Sequence, residues 1–171
     1  AVGFQAMRSA GTPNNNDAAQ NVAVGSKALT AILDGDSNVA VGYLAGAAIT
    51  TGGNNVIIGK EAGDGFTANT TMTLIGAEAG TTINSNNANG TVAVGYQSLG
   101  DLTSGATNTA LGSKSGDAAT TSSGSVFLGF DAGGTVTTGN QNIAIGLDSM
   151  NGGATTGDNN IAIGFSAGDA L

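Results

Sequence analysis

Two carboxylates stand one residue apart in Asp34-Gly35-Asp36, and clustered oxygens of this kind are what a hard cation such as calcium requires. The surrounding residues lack the D-x-D-x-D-G spacing of a calcium loop, and no calcium-roll repeat of the G-G-x-G-x-D type occurs, so no metal is assigned. The other acids singled out, Glu61, Asp64, Glu78, Asp131 and Asp148, fall in different stretches of a repeating pattern and read as solvated surface charge. The chain has no histidine and no cysteine, which removes the commonest general base, the thiolate nucleophile and the soft metal ligands together. Gly42 to Gly46 is one of many G-x-x-x-G spacings, but such glycines cradle phosphate only when a helix follows, and here the pattern is that of a strand. The sequence thus offers no catalytic residue, no cofactor site and no metal site, and the expectation is a protein that is not an enzyme.

What must the elements be, if not a frame for catalysis? The chain has 171 residues, 40% of them hydrophobic but only 4% aromatic, so its core is built from small side chains. Twelve acids against four bases give a net charge of -8, which repels nucleic acid and anionic lipid. No run approaches the roughly 18 consecutive apolar residues of a membrane span, so neither nucleic-acid binding nor membrane insertion of this segment is expected.

Thirty glycines are present, and they are periodic. Those that close V-A-V-G-like tetrads are Gly3, Gly25, Gly42, Gly59, Gly76, Gly95, Gly112, Gly129, Gly146 and Gly164. Their spacings are 22, 17, 17, 17, 19, 17, 17, 17 and 18, a fixed coil that accepts insertions at one corner. Ten copies of a unit this short describe a solenoid, in which each coil buries its face against its neighbours. The expected fold is all-β: a parallel β-roll or β-solenoid with about 17 residues per coil, spanning residues 1–171 as a single repeat segment of a longer fibre, with partial motifs at both ends.

The columns of this repeat are physically distinct. The residue before the tetrad glycine is branched and apolar, as in Val24, Ile58 and Leu111, and two residues earlier stand Val22, Val56 and Thr109, so a short strand directs both columns to one side. Between them lies a mostly Ala column, with Ile57, Leu74 and Phe127 as exceptions, which suits close approach of subunits around an axis. Seven residues after the glycine come Ala10, Ile32, Ile49, Phe66, Ile83, Leu102, Ala119, Val136 and Gly153, read as the core-facing position of a second strand. Turn formers follow at Gly35, Gly52, Asn69, Asn86, Gly105, Ser122 and Gly139, where positive φ suits a reversal. The insertions, including residues 11–20, read as exposed loops in that second corner. Asn21, Asn38, Asn55, Asn108, Asn142 and Asn160 recur at the entry to the tetrad and invite a stacked amide ladder, interrupted at Met72, Thr91 and Ser125.

Two columns bear on binding. Thr50, Thr67, Thr103, Thr120 and Thr137 make a single column and no flat T-x-T array, since the row breaks at Leu33 and Asn84, so an ice-binding β-solenoid is the outsider reading. Phe4, Tyr43, Tyr96, Phe130 and Phe165 each follow a tetrad glycine and form an aromatic stripe, suited either to packing against a neighbouring chain or to stacking on glycan rings, with packing favoured.

The segments "NVAVGYLAG", "TVAVGYQSL", "NIAIGLDSM" and "NIAIGFSAG" resemble the head repeats of YadA-like trimeric autotransporter adhesins, and more closely the N-T-A-V-G-Y-x-A-G repeats of bacteriophage and cyanophage tail fibres. The resemblance covers nearly the whole chain. It implies a left-handed parallel β-roll and a homotrimer, located at the virion surface, extending and displaying host-receptor-binding surfaces. It further implies other fibre or virion proteins as partners, together with a host cell-surface glycan or protein. A bacterial adhesin head at the cell surface, extracellular and binding host surface or matrix, is the alternative. The 17-residue period, longer than that of the adhesin heads, favours the phage fibre.

Overall fold

A computed structural model describes residues 1–8 and 18–169. Ala10 and residues 11–17 of the first insertion lie outside the described residues. Among the described residues nine three-residue strands follow one another: β1 (Val22–Val24), β2 (Val39–Val41), β3 (Val56–Ile58), β4 (Thr73–Ile75), β5 (Val92–Val94), β6 (Thr109–Leu111), β7 (Val126–Leu128), β8 (Ile143–Ile145) and β9 (Ile161–Ile163). They form one parallel sheet in sequence order, each pairing with the next to build a β-solenoid. Val2 adds a parallel bridge to Val24. Register is set by the columns and not by coil length: Val22 pairs with Val39 across 17 residues, Thr73 with Val92 across 19, and Ile143 with Ile161 across 18. The extra residues sit in the second corner, where Asn86, Asn87 and Asn159 are exposed.

The faces of the strands are the reverse of the close-approach reading. The middle residue of every strand is buried, and both branched columns point outward. Ala23, Ala40, Ala93, Ala110 and Ala144 are fully buried inside their own coil and leave nothing for a second subunit to approach. The reason is thickness: a 17-residue coil leaves room for only one or two large side chains per level, and the small Ala column makes that room.

Packing inside each coil is by exchange of size between two columns. The fourth residue after each tetrad glycine is buried or half-buried against the strand. Where the strand carries Ile57, Leu74 or Phe127, the facing residue in the same coil is Gly63, Gly80 or Gly133; where it carries Ala23, Ala93 or Ala144, the facing residue is Leu29, Leu99 or Met150. A Cβ at Gly63 would come within 2.6 Å of Leu74 Cδ1, and one at Gly133 would overlap the Phe127 ring. At Gly46, where the strand residue is also small, the space is filled from above and below by Leu29 and Ile57, each 3.1 Å from the Cβ position. This interdigitation across levels is the close packing expected of an interior with few voids.

The column seven residues after the glycine faces the core: Ile32, Ile49, Phe66, Ile83, Leu102, Ala119 and Val136 are buried. It does not form a second strand. Among the described residues that flank carries only the bridge from Val136 to Thr155. The chain there bends while each level still donates to the next, as in Thr50 N–H to Thr67 O at 2.9 Å and Thr120 N–H to Thr137 O at 2.8 Å, so the backbone is satisfied without strand geometry. Nor do the turn formers generally require positive φ. Gly105 has φ 112°, whereas Gly35, Gly52 and Gly139 are outside that region. They are small because a Cβ would strike a carbonyl oxygen of the coil above.

The asparagine column forms a ladder, buried at Asn38, Asn55, Asn108 and Asn142 and half-buried at Asn21 and Asn160. Asn38 Nδ2 donates to Asn21 Oδ1 at 3.1 Å, Asn55 Nδ2 to Asn38 Oδ1 at 2.9 Å and Asn160 Nδ2 to Asn142 Oδ1 at 3.1 Å. The same oxygens take backbone N–H groups of the next level, Asn38 N–H on Asn21 Oδ1 and Asn160 N–H on Asn142 Oδ1, both at 2.8 Å, and Asn55 Oδ1 takes that of Met72 at 2.9 Å.

Candidate functional site

The tetrad glycines make the corner that turns each strand outward. Gly3, Gly25, Gly42, Gly59, Gly76, Gly95, Gly112, Gly129, Gly146 and Gly164 have φ between 127° and 143°, a region that side chains rarely enter. From Gly3 to Gly146, a Cβ on each would collide with the peptide of the next tetrad glycine, so the corners stack backbone on backbone. Two residues further on the chain enters the left-handed region again, now with side chains present, at Lys27, Leu44, Glu61, Glu78, Gln97, Lys114, Asp131 and Asp148. The sequence conceals this second turn because no glycine marks it; its one signal is a column rich in charged and amide side chains.

Between those two turns the residue after the glycine is held by its carbonyl, which accepts from the next level: Glu61 N–H to Tyr43 O and Lys114 N–H to Tyr96 O, both 2.8 Å. Its side chain is thrown outward. Phe4, Tyr43, Tyr96, Phe130 and Phe165 are all exposed. They do not form one continuous stack, because Tyr43 and Tyr96 are three levels apart and Tyr96 and Phe130 two, about 14 and 10 Å along the sheet.

The aromatics belong to a larger feature. Among the described residues fourteen large hydrophobic side chains are exposed, from Ile58 at 37% to Phe165 at 75%, and each of them lies three before, one before or one after a tetrad glycine. Val22, Val24, Leu111, Leu128, Ile161 and Ile163 come from the branched columns, and Leu147 joins the aromatics. The apolar surface is therefore a single strip along the sheet. Nine strands about 4.8 Å apart and four residues across give on the order of 600 Å². That is at the upper limit of what a monomer exposes in one patch, ~300–600 Å², and close to the ~800 Å² each partner contributes to a standard interface.

One charged group interrupts the strip. Lys60 occupies the aromatic column, with Nζ 3.0 Å from Glu61 Oε2 and 3.9 Å from Glu78 Oε1. Glu78 is itself held by Gln97 Nε2 at 2.8 Å. The hydrogen bond to Glu61, then its charge and that of Glu78, raise the Lys60 pKa above the usual lysine value.

The other acids do not converge with this strip. Asp34 is exposed, and Asp64 accepts a hydrogen bond from Thr81 Oγ1 at 2.9 Å, with burial raising its pKa. A polar cleft of about 220 Å³ is lined by Thr81, Gln97, Gly100, Asp101 and Asp117. Among the described residues no three of the acids form a group able to hold a metal ion. The threonine column spends its hydroxyls within the stack: Thr50, Thr103 and Thr120 donate to the carbonyls of Thr67, Thr120 and Thr137 at 3.2, 2.9 and 3.1 Å.

Comparison with protein-family models, with curated proteins and with solved structures finds no match for this chain.

Proposed function

We propose that this chain is a non-enzymatic, structural segment of a viral tail fibre, in which three left-handed rolls lie side by side as a homotrimer at the virion surface. One observation carries the reading: among the described residues, all the large exposed apolar side chains stand on one strip running the length of the sheet. Burying that strip against copies of itself stabilises the assembly at roughly 25 cal/mol per Å² of apolar surface removed from water. The motif resemblance in "NVAVGYLAG" supports the number three, the hand and the fibre setting.

The function follows from the coil. Stacked levels supply stiffness and length, and cyclic association multiplies whatever each chain displays toward a host glycan or protein. Other fibre or virion proteins would continue the rod.

Light scattering of the isolated segment tests this directly. The expected mass is three times 16.3 kDa. Val94→Glu with Leu111→Glu places charges in the outward columns and is expected to give monomers that keep the β-sheet circular dichroism signal. A wild-type monomer would defeat the reading. A full-length chain carrying a coiled-coil stalk and a β-barrel anchor would replace the phage setting with a bacterial surface adhesin.

A further inference from the structure

A surface that repeats every 17 residues has a problem of register. Moving a neighbouring copy by one level brings Val39 and Val41 to where Val56 and Ile58 stood, and the same near-equivalence holds along the two branched columns, since neighbouring strands pair residue for residue. A shift of about 4.8 Å along the sheet thus preserves the apolar contact made by the two branched columns. Faces without a distinguishing residue specify register weakly.

The strip has one distinguishing charge. Across the three outward columns, Lys60 is the sole ionised side chain; every other position is aliphatic, aromatic, Ala, Ser or Thr. It does not float freely, being tied to Glu61 and Glu78, and Gln97 fixes the second of these carboxylates from the level above. The level below holds Tyr43 and Leu44, with no carboxylate in either column.

We propose that Lys60, with Glu61 and Glu78, fixes the axial register in which copies of this chain pack face to face. This rests on the reading of the strip as a self-association surface. When copies are level, each ammonium enters the contact beside its own carboxylates and those of its neighbour. When a pair slips by one level, one of the two lysines meets the Tyr43 and Leu44 level and loses the neighbour's carboxylates. A single polar residue in an otherwise apolar seam is a known means of setting register. The consequence concerns closure: level copies bury the strip from end to end, whereas slipped copies leave one apolar level uncovered at each end, where further copies add and the assembly grows without closing.

The test compares wild type, Lys60→Val and Lys60→Arg by size-exclusion chromatography with light scattering after unfolding and refolding. The Lys60 side chain is 56% exposed, so neither substitution disturbs the coil, and an unchanged thermal midpoint checks this. Wild type and Lys60→Arg are expected to elute with one mass, and Lys60→Val to spread into a mixture reaching at least twice that mass. A single wild-type-like mass for Lys60→Val overturns the proposal while leaving self-association intact, and so does an Arg variant as broad as the Val variant. A monomeric wild type overturns the self-association reading itself.

Discussion

The side-chain amide of Asn55 donates to Oδ1 of Asn38, one coil below, at 2.9 Å, and both residues are fully buried. Asn55 also donates to Asn69 O at 3.0 Å and accepts the Met72 N–H at 2.9 Å. It therefore ties three levels together at the point where each strand begins. Asn55→Leu would strand the Met72 N–H and the Asn69 carbonyl in the interior, at about 1–3 kcal/mol for each unsatisfied group. The expected loss is about 2–5 kcal/mol in chemical denaturation, with the transition remaining cooperative. An unchanged midpoint would mean that the ladder decorates the coil without supporting it.

The same ladder has a gap that a single substitution should close. Thr91 Oγ1 is buried and finds no hydrogen-bond partner among the described residues. Elsewhere the column's asparagine accepts the backbone N–H of the next level and donates to a carbonyl 14 residues on, as Asn38 does to Gly52 O at 2.9 Å. At position 91 those partners are the Asn108 N–H and the Gly105 carbonyl. Thr91→Asn is expected to stabilise by about 1 kcal/mol, the net worth of an added hydrogen bond. A thermal melt reads it, and a fall in midpoint would show that the site lacks room for the amide.

Two glycines offer opposite outcomes. Gly112 has φ +143°, and a Cβ there would run into the carbonyl oxygen of Gly129. Gly112→Val is expected to cost about 4 kcal/mol or more, in the range reached when strain and overlap combine, and to abolish soluble folded protein at about 37 °C. At Gly153, among the described residues, nothing lies within 4 Å of the Cβ position. Gly153→Ala should stabilise by about 0.4–1 kcal/mol through the unfolded chain alone. Parallel expression and melting of the two variants separates corner glycines from incidental ones.

The coil period and the strand columns are legible in the sequence because each coil repeats the same stereochemical demands at Gly25, Gly42 and Gly59. Which side of the strand is inside is not. Size suggests that Val22 and Val24 are core and that Ala23 is where chains approach, yet the coil interior admits Ala23 and leaves the valines outside. Two apolar faces on one strand carry no internal sign of which is inner, since a residue awaiting a partner is as apolar as one already packed. The decisive clue lies elsewhere, in the exchange of size between Phe127 and Gly133 and between Ala93 and Leu99, which only makes sense if both columns share one interior. The second strand expected from the sequence is absent for a related reason: Ile49 and Thr50 have strand-like side chains, but alternation and β-branching do not reveal a bend that hydrogen bonds to the next level tolerate.

Asp117 provides a prediction about pH. Burial raises its pKa above the ordinary aspartate value, helped by the negative charges of Asp131 and Asp101 and opposed by Lys114 and the Ala118 N–H. A carboxyl whose folded pKa exceeds its unfolded one holds its proton more tightly when folded, so its contribution is most favourable below the unfolded value and is lost as pH rises through the folded value. At neutral pH the ionised group therefore works against the fold. Asp117→Asn removes that charge while keeping an oxygen for the Ala118 N–H, and it is expected to raise the melting temperature at about pH 7. The advantage should shrink as pH falls and vanish near about pH 3, where the wild-type carboxyl is protonated in both states. Melting curves of both proteins across this range decide it, because a gain independent of pH would place the effect in packing and not in charge.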